Sequence, residues 1–507
     1  MRRGSGDRSY VSRARFRAGL RVPFASREEV AVAESSGLGE QGGSADRWEA
    51  GRLARKAVPR SGLGAWSAPS DRPDPVATLQ EQAADRVADL VPLRYERMLV
   101  SPFTFYRGAA AIMALDLGGR PRTGLTVQLA GDAHLANFGG FATADRTMIF
   151  DLNDFDETLP GPFEWDVQRL VASFEVAARH KGFTPAQRSK VISNVATTYQ
   201  SAMREFASMS RLDVWYARIQ ADEIPDRWGK GVDPAQVESF NRMIAKGRAK
   251  TSQKAVSRYT HVGQDGRLEL ISQPPFVVPL RELAGVDEDW IRDLAHTVLD
   301  SYIGTLADDR RLLMGAYAPV DVARKVVGVG SVGTRCWIVL LVARDDPTDD
   351  LVLQLKEATA SVLERVDEPS RYDNHGRRVV EGQRLMQASS DVLLGWTRVT
   401  DPAGVGRDYY VRQMWDWKTS ADIEGMDAAR MGVYARICGW TLARAHARSG
   451  DRHALAAYLG SGSAFDRAMQ EFAASYADQN QRDFEALKRA VAEGRVMSSH
   501  LEQGGST

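Results

Sequence analysis

The most constraining stretch is Gly131-Asp132-Ala133-His134-Leu135-Ala136-Asn137-Phe138-Gly139, followed closely by Ile149-Phe150-Asp151-Leu152-Asn153-Asp154. An apolar run over 125–130 leads into the first piece and reads as a short buried strand. Asp132 and Asn137 then stand five residues apart in a turn-rich loop. A second apolar strand, over 147–150, delivers Asp151 fourteen residues after Asn137. Oxygen-bearing side chains on two strand-end loops suit a base and a magnesium site. Mg²⁺ takes a few hard oxygen ligands from protein and the rest from water and phosphate.

The same Asp-x-x-x-x-Asn spacing, then a strand and a metal-binding Asp, marks the catalytic segment of kinases. Gly-Asp-x-His-x-x-x-Asn followed by Phe-Asp resembles that segment in aminoglycoside and choline phosphotransferases of the protein-kinase-like superfamily. His134, two residues after the Asp, is similar to the small-molecule branch. More widely, the chain resembles an uncharacterised bacterial family, domain of unknown function 2252. The stretches that carry this are Ser101-Pro102-Phe103, Phe105-Tyr106-Arg107-Gly108, the 131–139 loop, Asn153-Asp154-Phe155-Asp156-Glu157 and Val379-Val380-Glu381-Gly382-Gln383-Arg384. That likeness spans roughly residues 80–490 and brings no substrate with it.

The superfamily resemblance implies roles for residues farther on. Gly328-Val329-Gly330-Ser331-Val332-Gly333 alone is also compatible with a dinucleotide fingerprint, but that fingerprint opens a helix. Here Cys336-Trp337-Ile338-Val339-Leu340-Leu341 follows, a strand pattern, as in the phosphate-covering hairpin of kinases. Lys356 ends the next alternating strand, where kinases carry their phosphate-binding Lys; a solvent-facing strand Lys is the alternative. Residues 375–386 read as a helix in which Glu381 orients Lys356, with Glu364 as a rival. Met414 closes a strand leading into an adenine-holding hinge. The likeness gives Asp166 the task of bonding the catalytic-loop backbone and leaves His446 packed beside that loop. Arg107 either reaches a phosphate or pairs within the fold.

Length and composition set the frame. A chain of 507 residues holds two or three domains. Lys plus Arg equals Asp plus Glu at 66 each, which argues against nucleic acid or an anionic membrane as the main partner. Cys336 and Cys438 form no metal spacing and no disulfide framework. No apolar run reaches ~18 residues, and no apolar stretch follows the basic start, so the expected place is the cytoplasm.

The expected divisions are a disordered segment 1–75, a helical lobe 76–320, a small β lobe 321–420, C-terminal helices 421–495 and a flexible tail 496–507. In the helical lobe, residues 103–117 read as one helix, and 464–494 read as a last helical pair. Basic residues between 242 and 258, with Lys246, Lys250 and Lys254 at i, i+4 spacing, read as a solvated helix face or an anion site.

The expected fold is therefore α+β: a protein-kinase-like two-lobed fold with a small antiparallel β lobe and a large helical lobe. Its catalytic and metal loops come first in the chain, which implies a circular permutation. The expected activity is ATP- and Mg²⁺-dependent phosphoryl transfer to a small-molecule hydroxyl, with nucleotidyl transfer an open variant. Asp132 and His134 would serve the acceptor, and Asn137 and Asp151 the metal, with Asp154 second to Asp151. Lys356 and Glu381 would serve the phosphates under Gly328, Gly330 and Gly333. Two alternatives stand beside this: a non-catalytic nucleotide-binding protein on the same scaffold, and a metal-dependent phosphoesterase, for which eight histidines are few.

Overall fold

The computed structural model describes residues 43–228, 234–264, 266–283, 288–326, 328, 330, 332–346, 348–400 and 404–498. The architecture is α+β. Its largest sheet has six antiparallel strands, in the order Gly395–Thr400, Gly406–Gln413, Leu351–Ala358, Cys336–Ala343, Tyr317–Lys325 and Val277–Pro279. Leu351–Ala358 is buried along its whole length, because both of its faces are covered. Leu351, Leu353 and Leu355 pack with Leu299 and Tyr302 of the helix Glu288–Ile303. Val352, on the alternate face, packs with Ala255 and Tyr259 of the helix Ser252–Tyr259. Period-two alternation then puts Gln354 and Lys356 on the same side as Val352.

A helical body carries the rest. The helix Phe163–His180 is buried from Phe163 to Ala178, as expected of a helix enclosed on all sides. Around it pack Pro185–Ser208, Ala428–Ser449 and Ala464–Ala492. Two small sheets bring the 130–137 loop onto this body. Thr126–Leu129 pairs with Leu159–Pro162. Phe138–Ala142 lies between Thr419–Ser420 and Met148–Leu152, with Ile219–Gln220 at the far edge.

Several boundaries differ from the sequence reading. The strand Val277–Pro279 belongs to the six-stranded sheet, and the helices Ser252–Tyr259 and Glu288–Ile303 pack on it, so the sheet and its cover draw on residues from both sides of position 320. Residues 103–117 form two helices, Pro102–Gly108 and Ala110–Gly118, with a break at Ala109. Residues 464–494 hold one helix of 29 residues instead of a pair.

The segment 43–75, expected to be disordered, contains the helix Ser44–Ala57. That helix is held by close approach at Gly51 and by Trp48 and Ala54, which pack against the core. A side chain at Gly51 would collide with the Ala454 carbonyl. Arg55 and Arg60 donate to the Ala457 and Leu459 carbonyls at 3.3 and 2.5 Å, and Arg72 bridges Asp116 and Asp483. Residues 1–42, and 499–507 of the expected tail, lie outside the described residues.

Candidate functional site

The loop after Thr126–Leu129 is fixed from beneath. Asp166, in the first turn of the helix Phe163–His180, accepts hydrogen bonds from the backbone N–H groups of Ala130 and Gly131, at 2.7 and 3.0 Å. His446 Nε2 meets the Asp166 carboxylate at 3.2 Å, and its Nδ1 lies 2.8 Å from the Tyr199 hydroxyl. The helix Ala428–Ser449 thus braces the loop, and His446 is packed. Gly131 adopts φ 80°, and a side chain there would strike the Glu157 carbonyl. Only glycine suits that turn.

Asp132 is delivered beside Arg169, whose Nε and Nη2 both lie 2.8 Å from Asp132 Oδ1. Burial raises the Asp132 carboxyl above its ordinary range, although Arg169 works against the rise. His134 Nε2 lies 3.8 Å from Asp132 Oδ2. Burial, reinforced by Arg107 and Arg169, holds His134 neutral, and its Nδ1 accepts from Ala136 N at 3.2 Å. The ring proton therefore sits on Nε2, facing Asp132. Asn137 uses Nδ2 to hold the Asp132 carbonyl at 2.8 Å.

The expected metal ligand Asp151 is placed differently. It is 1% exposed and paired with Arg444, itself buried. Its second oxygen accepts from Ala388 N at 2.9 Å. It does not line the cavity above the loop. Asp154 does, beyond the end of the strand Met148–Leu152, together with Asp156 and Glu157.

Lys356 reaches this acidic loop from the sheet. Its ammonium is hydrogen-bonded to Asp156 and lies 3.8 Å from Asp154, although Asp156 is 200 residues away in sequence. Burial would lower the Lys356 pKa, but Asp154 and Asp156 outweigh it and hold the group well above its ordinary value. Asp156 responds in kind: burial pushes it up, while Lys356 and the Tyr410 hydroxyl at 3.0 Å bring it below the carboxylate range. Asp154 is raised by burial and by Asp156. Glu157 is pushed up to about 7 by burial, with one oxygen accepting from Val362 N at 2.7 Å.

Glu381, expected to brace Lys356, is half-exposed and lies 3.4 Å from Arg384, one helical turn away. The buried contact from that helix is Arg378, which donates to the carbonyls of Thr158, Asp156 and Thr359 at 2.7, 2.8 and 2.8 Å. Register explains why the sheet supplies more than Lys356. Tyr410 stands opposite Lys356, and Arg412 opposite Gln354, so all four share one face. Arg412 Nε donates to Gln354 at 3.0 Å.

The cavity enclosed by these groups measures about 340 Å³, within the range of small-molecule sites. Gly328, Gly330 and Met414 line it; Gly333 instead packs against Arg86 and gives its carbonyl to Val87 N at 2.8 Å. The Met414 N–H is already given to the Val352 carbonyl at 3.0 Å.

The sequence model of a family described as "Uncharacterized protein conserved in bacteria (DUF2252)" matches residues 86–490. The chain belongs to this family. No curated protein and no solved structure matches it. Every residue lining the cavity of this DUF2252 chain except Gln82 falls inside the matched span.

Sequence reasoning missed five of its cations: Arg86, Arg94, Lys325, Arg412 and Lys418. Alternation with Lys356's neighbours could have pointed to Arg412. The other four depend on long-range packing. Arg86 donates to the Gly330 and Val332 carbonyls at 3.1 and 2.5 Å and so ties the glycine segment to the body. Arg94 is 1% exposed, and its Nε and Nη1 have no partner. Arg107 Nε is likewise buried without one. Lys418 is brought down to about 7, first by the neighbouring Arg412 charge and then by burial.

Proposed function

We propose that the chain is an ATP- and Mg²⁺-dependent phosphotransferase acting on a small hydroxyl-bearing acceptor, on a kinase-like scaffold in permuted order. One observation carries this reading. Asp132, Asn137 and Asp154 from the early loops line one cavity with Lys356, Gly328 and Gly330 from the later sheet. Seven Lys and Arg side chains line it against four carboxylates, an excess that favours a polyanionic ligand.

The residues present fit the nucleotide and metal. Asn137 keeps its side-chain oxygen, since only its Nδ2 is used to hold Asp132, and Asp154 supplies a carboxylate at the same cavity. One or two such ligands suffice for magnesium that arrives with phosphate oxygens. Asp154 takes the metal role first expected of Asp151. Bound ATP–Mg²⁺ would supply the transferable phosphoryl group. Lys356, Arg412 and Lys418 would hold phosphate oxygens. Asp132, with a raised pKa and one oxygen fixed by Arg169, would accept the acceptor's proton. Positioning and charge neutralisation are the main demands of this chemistry. A two-metal phosphoesterase gains less support: among the described residues, no three His, Cys, Asp or Glu side chains group as metal ligands.

The deciding experiment measures ADP release from Mg²⁺–ATP by purified protein with a panel of hydroxyl compounds. Asp132→Asn should reduce turnover by at least ~10²-fold, the scale of general-base loss, while nucleotide still binds. Undiminished turnover in that variant overturns the mechanism. Binding without turnover across the panel favours the non-catalytic alternative.

A further inference from the structure

The basic residues between 242 and 258 divide between two surroundings. Arg242, Lys246 and Lys250 border a second cavity of about 830 Å³, whereas Lys254 does not. Its walls are largely apolar: Phe150 from the strand Met148–Leu152, Ile224, Phe240 and Met243 from helices, and Tyr434 and Ile437 from Ala428–Ser449. A side chain at Gly247 would stand 3.0 Å from both Met148 and Thr419, so glycine lets the helix Pro234–Arg248 lie close against the small sheet.

Four cations, Arg242, Lys246, Lys250 and Arg430, meet one carboxylate, Asp422, around this space. Asp422 already accepts from Gly425 N at 3.1 Å. Arg242 makes an exposed contact with Glu238 at 3.1 Å. Arg430 lies 3.8 Å from Asp427, and its Nε is buried without a hydrogen bond. Among the described residues, Lys246 and Lys250 have no carboxylate partner. The Lys250 carbonyl accepts from Trp417 N at 2.8 Å, and the Lys250 charge is felt by Lys418 in the first cavity.

An apolar chamber with a cationic border restricts its occupant. A polyphosphate would lose its hydration against Phe, Met and Ile without repayment, and a neutral apolar molecule would leave the bordering cations without a counter-charge. We propose that this second cavity binds a small amphipathic anion, with an aliphatic or aromatic body against Phe150, Phe240, Met243 and Ile437 and one anionic head at Lys246 and Lys250. The site stands whether or not the first cavity transfers phosphoryl groups.

Calorimetric titration of the full chain with four probes tests this: dodecanoate, dodecyl phosphate, dodecanol and acetate, each below its micellar range. At least one twelve-carbon anion should bind, with dodecanol at least ~10-fold weaker and acetate silent, since both head and body contribute. The comparison of the two anions identifies the head as carboxylate or phosphate. Lys246→Glu with Lys250→Glu should weaken the anion at least ~10-fold and leave dodecanol unchanged. Phe240→Asp should abolish binding of both. Lys246 is exposed, so Lys246→Glu alone serves if the double variant fails to fold. Equal affinity for dodecanol and the anions, an unaffected lysine variant, or no binding by any twelve-carbon probe overturns the proposal.

Discussion

Asp151 and Asp154 stand three residues apart and meet opposite environments. Asp151 lies within a strand and turns into the body, where Arg444, 293 residues away, takes its carboxylate. Asp154 lies past the strand end and faces the cavity. Local spacing could not separate them, because the residue that decides the matter is on a distant helix. Their variants should separate cleanly. Asp151→Asn leaves a buried guanidinium without its counter-charge and should cost about 3–5 kcal/mol, while Mg²⁺-dependent nucleotide binding persists in the protein that folds. Asp154→Asn should abolish that Mg²⁺ dependence with little change in thermal midpoint. Melts, and nucleotide titrations with and without Mg²⁺, read both. Lys418 gives a second prediction at this scale. With its pKa at about 7, it carries charge below that pH and loses it above. Glu157, also at about 7, turns negative over the same range. Both changes make the cavity more negative as pH rises, so polyanion affinity should fall between pH 6 and 8 and binding near pH 7 should take up protons. Titration in buffers of different ionisation enthalpy measures that uptake, and Lys418→Met should reduce it.

Elements were more legible than contacts. The helix His375–Met386 and the strand Leu351–Ala358 that carries Lys356 were readable because apolar periodicity is local. The expected service of that helix to the lysine was not readable in the same way. The helix does join the acidic loop to the lysine strand, but through Arg378 and three backbone carbonyls instead of through Glu381. A backbone acceptor leaves no trace in side-chain patterns. The strut Asp166–His446 was legible only through resemblance, and the N-terminal helix Ser44–Ala57 was missed because a glycine approach, one arginine and two scattered apolar residues, Trp48 and Ala54, make no sustained periodicity. Arg378→Met should therefore lower stability by several kcal/mol, since each buried carbonyl left unsatisfied costs ~1–3 kcal/mol. Glu381→Ala removes a half-exposed pair and should cost under about 1 kcal/mol. Urea denaturation of the two variants checks the contrast, and equal losses would return Glu381 to the structural core of the site.

Across the whole molecule, the cavity joins parts that the chain visits far apart. Asp132, Asn137 and Asp154 belong to the loops of the helical body, and Lys356 and Arg412 to the six-stranded sheet. The Lys356–Asp156 pair and the Arg86 contacts to the glycine segment already cross between them. A ligand touching both sides adds to these cross-links only in the folded state, so it must stabilise by mass action. At a free concentration a hundredfold above Kd, the gain is about 2.7 kcal/mol. Mg²⁺–ATP should therefore raise the thermal midpoint in a concentration-dependent way, and ATP without the metal should do so less. Lys356→Met keeps the stem of the side chain and removes the charge that faces Asp154 and Asp156. Its own midpoint should fall, because Asp156 loses its buried counter-charge. The decisive quantity is the added shift on nucleotide, which should disappear in this variant while the lysines of the second cavity remain intact. A Lys356→Met protein stabilised by Mg²⁺–ATP as strongly as the parent would place the nucleotide outside the first cavity and remove the sheet from the proposed site.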